Sequence, residues 1–282
     1  MTAAELIGQL TDLPTVSPSA MKLVALLEHS DADNEEILEV LKYDSVLTAR
    51  VLRACNSASL GFVEPVGSVE QAVLLLGYQP LLQMVLALAF AKVLSVPMPA
   101  YAVEAKELYA HSLIVGMASE FLSLGQVNPD SDSQLAFTAG LLHDLGKMAL
   151  SQVLDAGRQT AIREYIARHG ATRIEAEREI TGTDHAEVGA CLLRTWRLPE
   201  PIVSAVAQHH EPLFEPPGDL SAIVSLANCC AHLAGSAPGW EAYALKIQGQ
   251  AASAFHLTTE KLDNLLIRIR ESYERVDLLM SH

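Results

Sequence analysis

Aromatic residues are scarce at 5% of 282, and basic residues are outnumbered, 19 Lys+Arg against 34 Asp+Glu. The formal net charge of −15 disfavours direct nucleic-acid binding and attraction to anionic membrane surfaces. No Lys/Arg cluster offsets it locally. There are four cysteines, Cys55, Cys191, Cys229 and Cys230, with no CxxC pair. This usage suits a reducing cytoplasm rather than a disulfide scaffold. The opening residues lack the basic and apolar regions of a secretory signal. No uninterrupted apolar run reaches membrane length; Leu81–Val96 comes nearest, but Gln83 and Lys92 interrupt it and Pro80 and Pro97 flank it. The expectation is a soluble cytoplasmic chain.

Period-two alternation with hairpin turns is also missing, so a sheet is not expected. Helix signals fill the chain instead. Ser17-Pro18 has N-cap and N1 chemistry, and Asp33 is placed to cap a helix with Glu35 and Glu36 in its first turn. Ser68-Val69-Glu70-Gln71 fits a capping box, with Gly77 in a left-handed position after that helix. Half of all residues are apolar, enough for a large core. The expected fold is all-α: an N-terminal helical bundle, residues 1–98, packed on a second helical region, residues 99–282. The boundary falls at Val96-Pro97-Met98-Pro99, where two prolines obstruct helix continuation. The apolar Leu81–Val96 helix is expected at the interface. A closing stripe through Leu262, Leu265, Leu266 and Ile269 is read as docking a terminal helix.

Candidate chemistry lies in the second half. His143-Asp144 follows an apolar run, with Lys147 one helical turn on; Glu107 and His111 stand at i,i+4; His185 and His209-His210-Glu211 come later. Imidazole and carboxylate are the donors that suit Zn, Mn or Fe. Taken singly, each has a structural explanation, such as a surface Asp144–Lys147 ion pair. Together they point to a metal site. His29, His169, His232, His256 and His282 have no place in the pattern.

This order of motifs resembles the HD phosphohydrolase superfamily, whose helical region the second half would then form. Leu13-Pro14, Asp44-Ser45-Val46-Leu47-Thr48-Ala49-Arg50, Asn56-Ser57-Ala58 and Ala72-Val73-Leu74-Leu75-Leu76-Gly77 narrow the resemblance to the HDOD domain, with Ser45 where the family usually has proline. It covers roughly Leu13 to Gly235. What it implies is a bacterial regulatory module without enzyme activity, acting in signal transduction through protein partners, with a nucleotide as a further candidate ligand. Similarity to the HD-GYP cyclic-dinucleotide phosphodiesterases implies metal ligands at Glu107, His111, His143, Asp144, His185, His209, His210 and position 228, with Lys147 as a candidate catalytic residue. Two departures stand out. The Gly-Tyr-Pro loop is replaced by Pro212 to Asp219, and the final metal-binding aspartate is Asn228. A neutral amide there contributes no charge against a divalent cation. A metal-dependent phosphohydrolase acting on a phosphodiester is the alternative function, and a purely structural helical scaffold is a third.

Overall fold

The computed structural model describes residues 1–10, 16–27, 34–57, 60–124, 133–212, 219–236, 238 and 255–280. Helices run Ala3–Ile7 (α1), Pro18–Leu26 (α2), Asn34–Lys42 (α3), Ser45–Cys55 (α4), Val69–Leu76 (α5), Tyr78–Leu94 (α6), Glu107–Leu124 (α7) and Ser133–Leu142 (α8). Then come Leu145–Val153 (α9), Ala156–His169 (α10), Arg173–Thr181 (α11), His185–Thr195 (α12), Glu200–Gln208 (α13), Leu220–Leu233 (α14) and Thr259–Met280 (α15). The fold is all-α: among the described residues only the isolated bridge Met98–Val103 pairs extended backbone. No helix among them is long and apolar enough to cross a membrane.

Local chemistry sets most boundaries. Ser17 accepts from the Ala20 amide ahead of Pro18. Asp44 caps α4 through the Leu47 amide at 2.9 Å, which places Ser45 at N1, the helical position where proline is best tolerated. Asn56 is a clamp: its amide donates to the Leu52 and Val66 carbonyls and its oxygen accepts from the Val66 amide. The Ser68 cap forms through the Gln71 amide, but the box does not close on it. Gln71 reaches one residue further back, to the Gly67 amide. Gly77 has φ +82° with extended ψ, turning the chain directly from α5 into α6. Leu13-Pro14 and Asp33 lie outside the described residues, as does most of Pro212 to Asp219.

Helix α6 packs against α2, α4 and α5 on one side and α7, α8 and α15 on the other. Arg50 of α4 donates to the Leu88 carbonyl at 2.6 Å, and the Tyr109 hydroxyl of α7 to the Ala87 carbonyl at 3.1 Å. The helix is therefore shared between the two halves, as its all-round apolar composition requires. The first helix departs from the sequence expectation. Although it falls within 1–98, α1 packs on α9 and α12, and the Met1 ammonium donates to the Thr181 carbonyl. At the other end, Leu265 and Ile269 are buried where α15 docks on α7 and α14.

Two glycine crossings bring the second half together. A Cβ on Gly140 of α8 would sit 2.8 Å from the Val115 carbonyl oxygen and 2.9 Å from the Gly116 Cα of α7. A Cβ on Gly146 of α9 would lie 1.9 Å from the His185 carbonyl oxygen and 2.5 Å from the Gly189 nitrogen of α12. Neither approach tolerates a side chain. Gly146→Ala is expected to cost at least ~2 kcal/mol by forcing α9 and α12 apart. Gly8→Ala, whose Cβ meets only ordinary contacts at 3.5 Å, should stay within about 1 kcal/mol of wild type. Denaturant unfolding of the two variants measures the difference.

Candidate metal centre

The two crossings, with α13, set the ends of five helices around one carboxylate. His111 stands one turn into α7, while His143 and Asp144 link α8 to α9. His185 opens α12, and His209 and His210 follow α13. Asp144 is the N-cap of α9, yet its side chain makes no capping bond. An aspartate at that position ordinarily accepts from a first-turn amide. Here the carboxylate is turned inward.

Around Asp144 Oδ2 lie His143 Nε2 at 3.2 Å, His111 Nε2 at 3.8 Å and Lys147 Nζ at 2.7 Å. Around Oδ1 lie His185 Nε2 at 3.6 Å and His209 Nε2 at 3.8 Å. His210 Nε2 is 2.8 Å from His185 Nε2, so a proton lies between the two nitrogens. All these side chains are 0–3% exposed except that of His210, which is half-buried. The donor atoms of Asp144, His185, His209 and His210 all fall within 4.8 Å of one another, as do those of His111, His143 and Asp144.

A second layer fixes the rings. The Nδ1 atoms of His143 and His209 face the Gly140 and Val206 carbonyls at 2.8 and 2.7 Å. His111 Nδ1 faces the Ser236 carbonyl at 3.0 Å. A carbonyl only accepts, so Nδ1 carries the proton and the Nε2 lone pair turns inward, the tautomer a metal requires. His185 differs, holding the Glu177 carboxylate on Nδ1 at 2.7 Å while its backbone amide donates to the same oxygen. Arg173 and the Tyr101 hydroxyl bind the other Glu177 oxygen, and the Arg173 guanidinium stacks on the Tyr101 ring.

The electrostatics agree. Burial, with the neighbouring imidazoles, holds His111, His209 and His210 well below the usual histidine range, leaving them neutral. Burial opposes ionisation of Asp144, but His143, Lys147 and His185 outweigh it and keep the carboxyl well below its usual range. Burial likewise opposes the charge on Glu177, which His185 and Arg173 hold down at about 2. Burial would lower His185, yet Glu177 raises it above the ordinary value.

The residues fit a divalent transition metal. The Nε2 atoms of His111, His143 and His209 and the Oδ1 atoms of Asp144 and Asn228 are buried with no hydrogen-bond partner. Each such atom costs about 1–3 kcal/mol unless something satisfies it. A cation would satisfy the atoms it reaches: Asp144 and His209 belong to one group of mutually close donors, and His111, His143 and Asp144 to the other.

Of the residues singled out in the sequence, Glu107 does not join this centre. It is exposed, and its carboxylate accepts from the Glu104 amide at 2.7 Å, capping α7 from outside. The i,i+4 spacing to His111 places both on α7, but the glycine crossing buries only the His111 end. Glu211 is also turned away, paired with Arg178, which binds Asp184 as well. Asn228 is buried on α14, one turn before His232, whose ring meets His111 edge-on at 5.0 Å. Sequence reading missed His232 and Glu177. Their only signals were the i,i+4 spacings Asn228–His232 and Arg173–Glu177.

Glu177→Ala should therefore cost about 3–5 kcal/mol, because Arg173 and His185 would be left buried without their anion. Glu107→Ala should change stability by no more than about 0.5 kcal/mol. In metal-free protein, the contribution of Glu177 is fully present above its unfolded value near 4.5 and lost as pH falls toward 2. Glu177→Gln should accordingly flatten that part of the stability curve, measured by denaturant unfolding across pH.

A curated relative, an uncharacterized protein of Treponema pallidum (strain Nichols), is 25% identical over 220 residues, 74% of this chain. The chain spans 39% of that relative's length. An HDOD domain protein of unknown function from Geobacter sulfurreducens has a similar structure, with TM-score 0.76 and 23% identity over 97% of this chain and 96% of its own. A candidate phosphohydrolase from Shewanella amazonensis SB2B gives TM-score 0.68 and 24% identity, covering 98% and 96%. Residues 13–212 match the HDOD domain itself. The chain belongs to the HDOD domain family.

Proposed function

We propose that the chain is a non-catalytic regulatory HDOD module that acts through a protein partner, with the histidine–aspartate centre retained for binding a metal. Its family supports a regulatory or HD-related role. The observation that carries the non-catalytic reading is the enclosure of the centre. The side chains of His111, His143, Asp144, His185 and His209 are at most 1% exposed, so among the described residues of the centre only the half-buried His210 offers a phosphodiester an approach to a bound ion. Asn228 and the missing Gly-Tyr-Pro loop support the same reading.

A divalent metal, when bound, would supply Lewis acidity and an activated water in a hydrolase of this superfamily. In this chain Asp144 and the inward Nε2 atoms would hold it, and the Nδ1 partners would orient them. Lys147 would screen the charge of Asp144. A metal-dependent phosphohydrolase acting on a cyclic dinucleotide is the second reading, favoured by the convergence of the histidine motifs on one carboxylate. Binding of a nucleotide as a regulatory ligand belongs to the same proposal.

Hydrolysis of bis(p-nitrophenyl) phosphate and of cyclic di-GMP, with added Mn or Fe, separates the two. Wild type should turn over no faster than the His143→Ala/Asp144→Ala double variant, within about twofold. Metal-dependent turnover abolished in the double variant would establish the hydrolase instead.

A further inference from the structure

Two carboxylates flank the side of the centre on which His210 lies, the half-buried member of its donor set. Asp184 immediately precedes His185 and Glu211 immediately follows His210, the two rings whose Nε2 atoms are 2.8 Å apart. Arg178, near the end of α11, holds both carboxylates. Its Nε donates to Asp184 Oδ2 and its Nη1 to Glu211 Oε1, each at 2.6 Å. We infer that Arg178 is an access clasp on the His210 side of the centre, fixed on Asp184 and released from Glu211.

The two arms of the clasp differ in strength because they differ in exposure. The Asp184 side chain is fully buried and also caps α12 through the Glu187 amide at 2.9 Å. Parting it from Arg178 would leave a buried anion without its cation, which is costly. The Glu211 side chain is 64% exposed and that of Arg178 38%, so water and salt replace their contact at little cost. Thermal opening therefore breaks the Glu211 arm first. What moves is short. The Glu211 amide donates to the Gln208 carbonyl at 2.9 Å, so His209, His210 and Glu211 share the turn that ends α13. His209 is fixed there by the Val206 carbonyl, whereas His210 leans on His185 across the junction that Arg178 spans. Release of Glu211 frees the His210 end of the turn and widens the approach to the centre. The fork of a guanidinium is what serves two carboxylates at once; a lysine ammonium is a single point charge and would stay with the buried one.

The inference rests on the proposed reading of an enclosed centre, but its readout is access, not turnover. Its test is the rate at which diethyl pyrocarbonate acylates each histidine of the full chain in EDTA, read by tandem mass spectrometry, with exposed His169 and His256 as internal references. Glu211→Gln should raise the His210 rate about 2–5-fold, the shift in an opening equilibrium that loss of an exposed ion pair gives. The references and buried His143 should not change. Arg178→Lys should match it, and the double variant should add nothing further. In wild type the His210 rate should climb from low salt to about 1 M NaCl, and in Glu211→Gln it should stay level. Glu200→Gln breaks the exposed Arg194–Glu200 pair, which also joins α12 to α13, and should leave His210 as in wild type. An unchanged His210 rate in Glu211→Gln and Arg178→Lys, or an equal rise in Glu200→Gln, would overturn the clasp. So would acylation of His143 in step with His210, because that reports unfolding rather than release of one arm. Turnover in the hydrolysis assay would overturn the non-catalytic reading and leave the clasp in place, so the two fail separately.

Discussion

A carboxylate with no exposed surface, Asp144, is the constraint around which the second half is organised. An isolated buried anion is unstable by far more than a domain's net stability, so it must be ringed by positive or proton-bearing groups. Lys147 supplies the nearest charge, and although burial opposes it, Glu177 raises the pKa of His185 above the ordinary histidine value. The capping bond that Asp144 forgoes shows that a local rule yields to this arrangement.

Such convergence needs backbones closer than ordinary side chains allow. The Gly116–Gly140 and Gly146–Gly189 approaches meet that need, and each lies within a few residues of a donor. His111 and His143 flank the first; Asp144 and His185 flank the second. The centre is therefore rigid because the crossings are tight, and it is enclosed for the same reason. Orientation is finished by backbone carbonyls, which fix three tautomers without adding charge, and by Glu177, which fixes the fourth and adds one.

In the proposed non-catalytic role the centre stabilises or reports a state rather than transforming a substrate. The path by which that state reaches the rest of the molecule is structural. Tyr101, in the segment after the α6 boundary, binds Glu177 directly, while α6 itself packs on both halves. A change at the centre thus meets the N-terminal helices through packed contacts rather than through a flexible linker.

Much of this was legible in the sequence, and the divide follows range. The Ser17 and Ser68 caps, the all-round apolar α6 and the helical class depend on residues within a turn or two of one another, so spacing alone determined them. The donor types His111, His143, Asp144, His185, His209 and His210 were also evident as chemistry. Which of them meet was decided by helix crossings between residues far apart in the chain. Spacing put Glu107 with His111, but the crossing angle turned it to solvent. It gave no reason for α1 to leave the first half, since the Met1–Thr181 contact joins residues 180 positions apart in the chain. Glu177 and His232 drew no attention, because a charged residue on a helix is ordinarily solvated and only packing shows which one is not. The sequence by itself determined helices, caps and a stock of ligands. The tertiary structure alone decided that they surround one carboxylate, because glycine contacts between distant helices set distances that no local hydrogen bond controls.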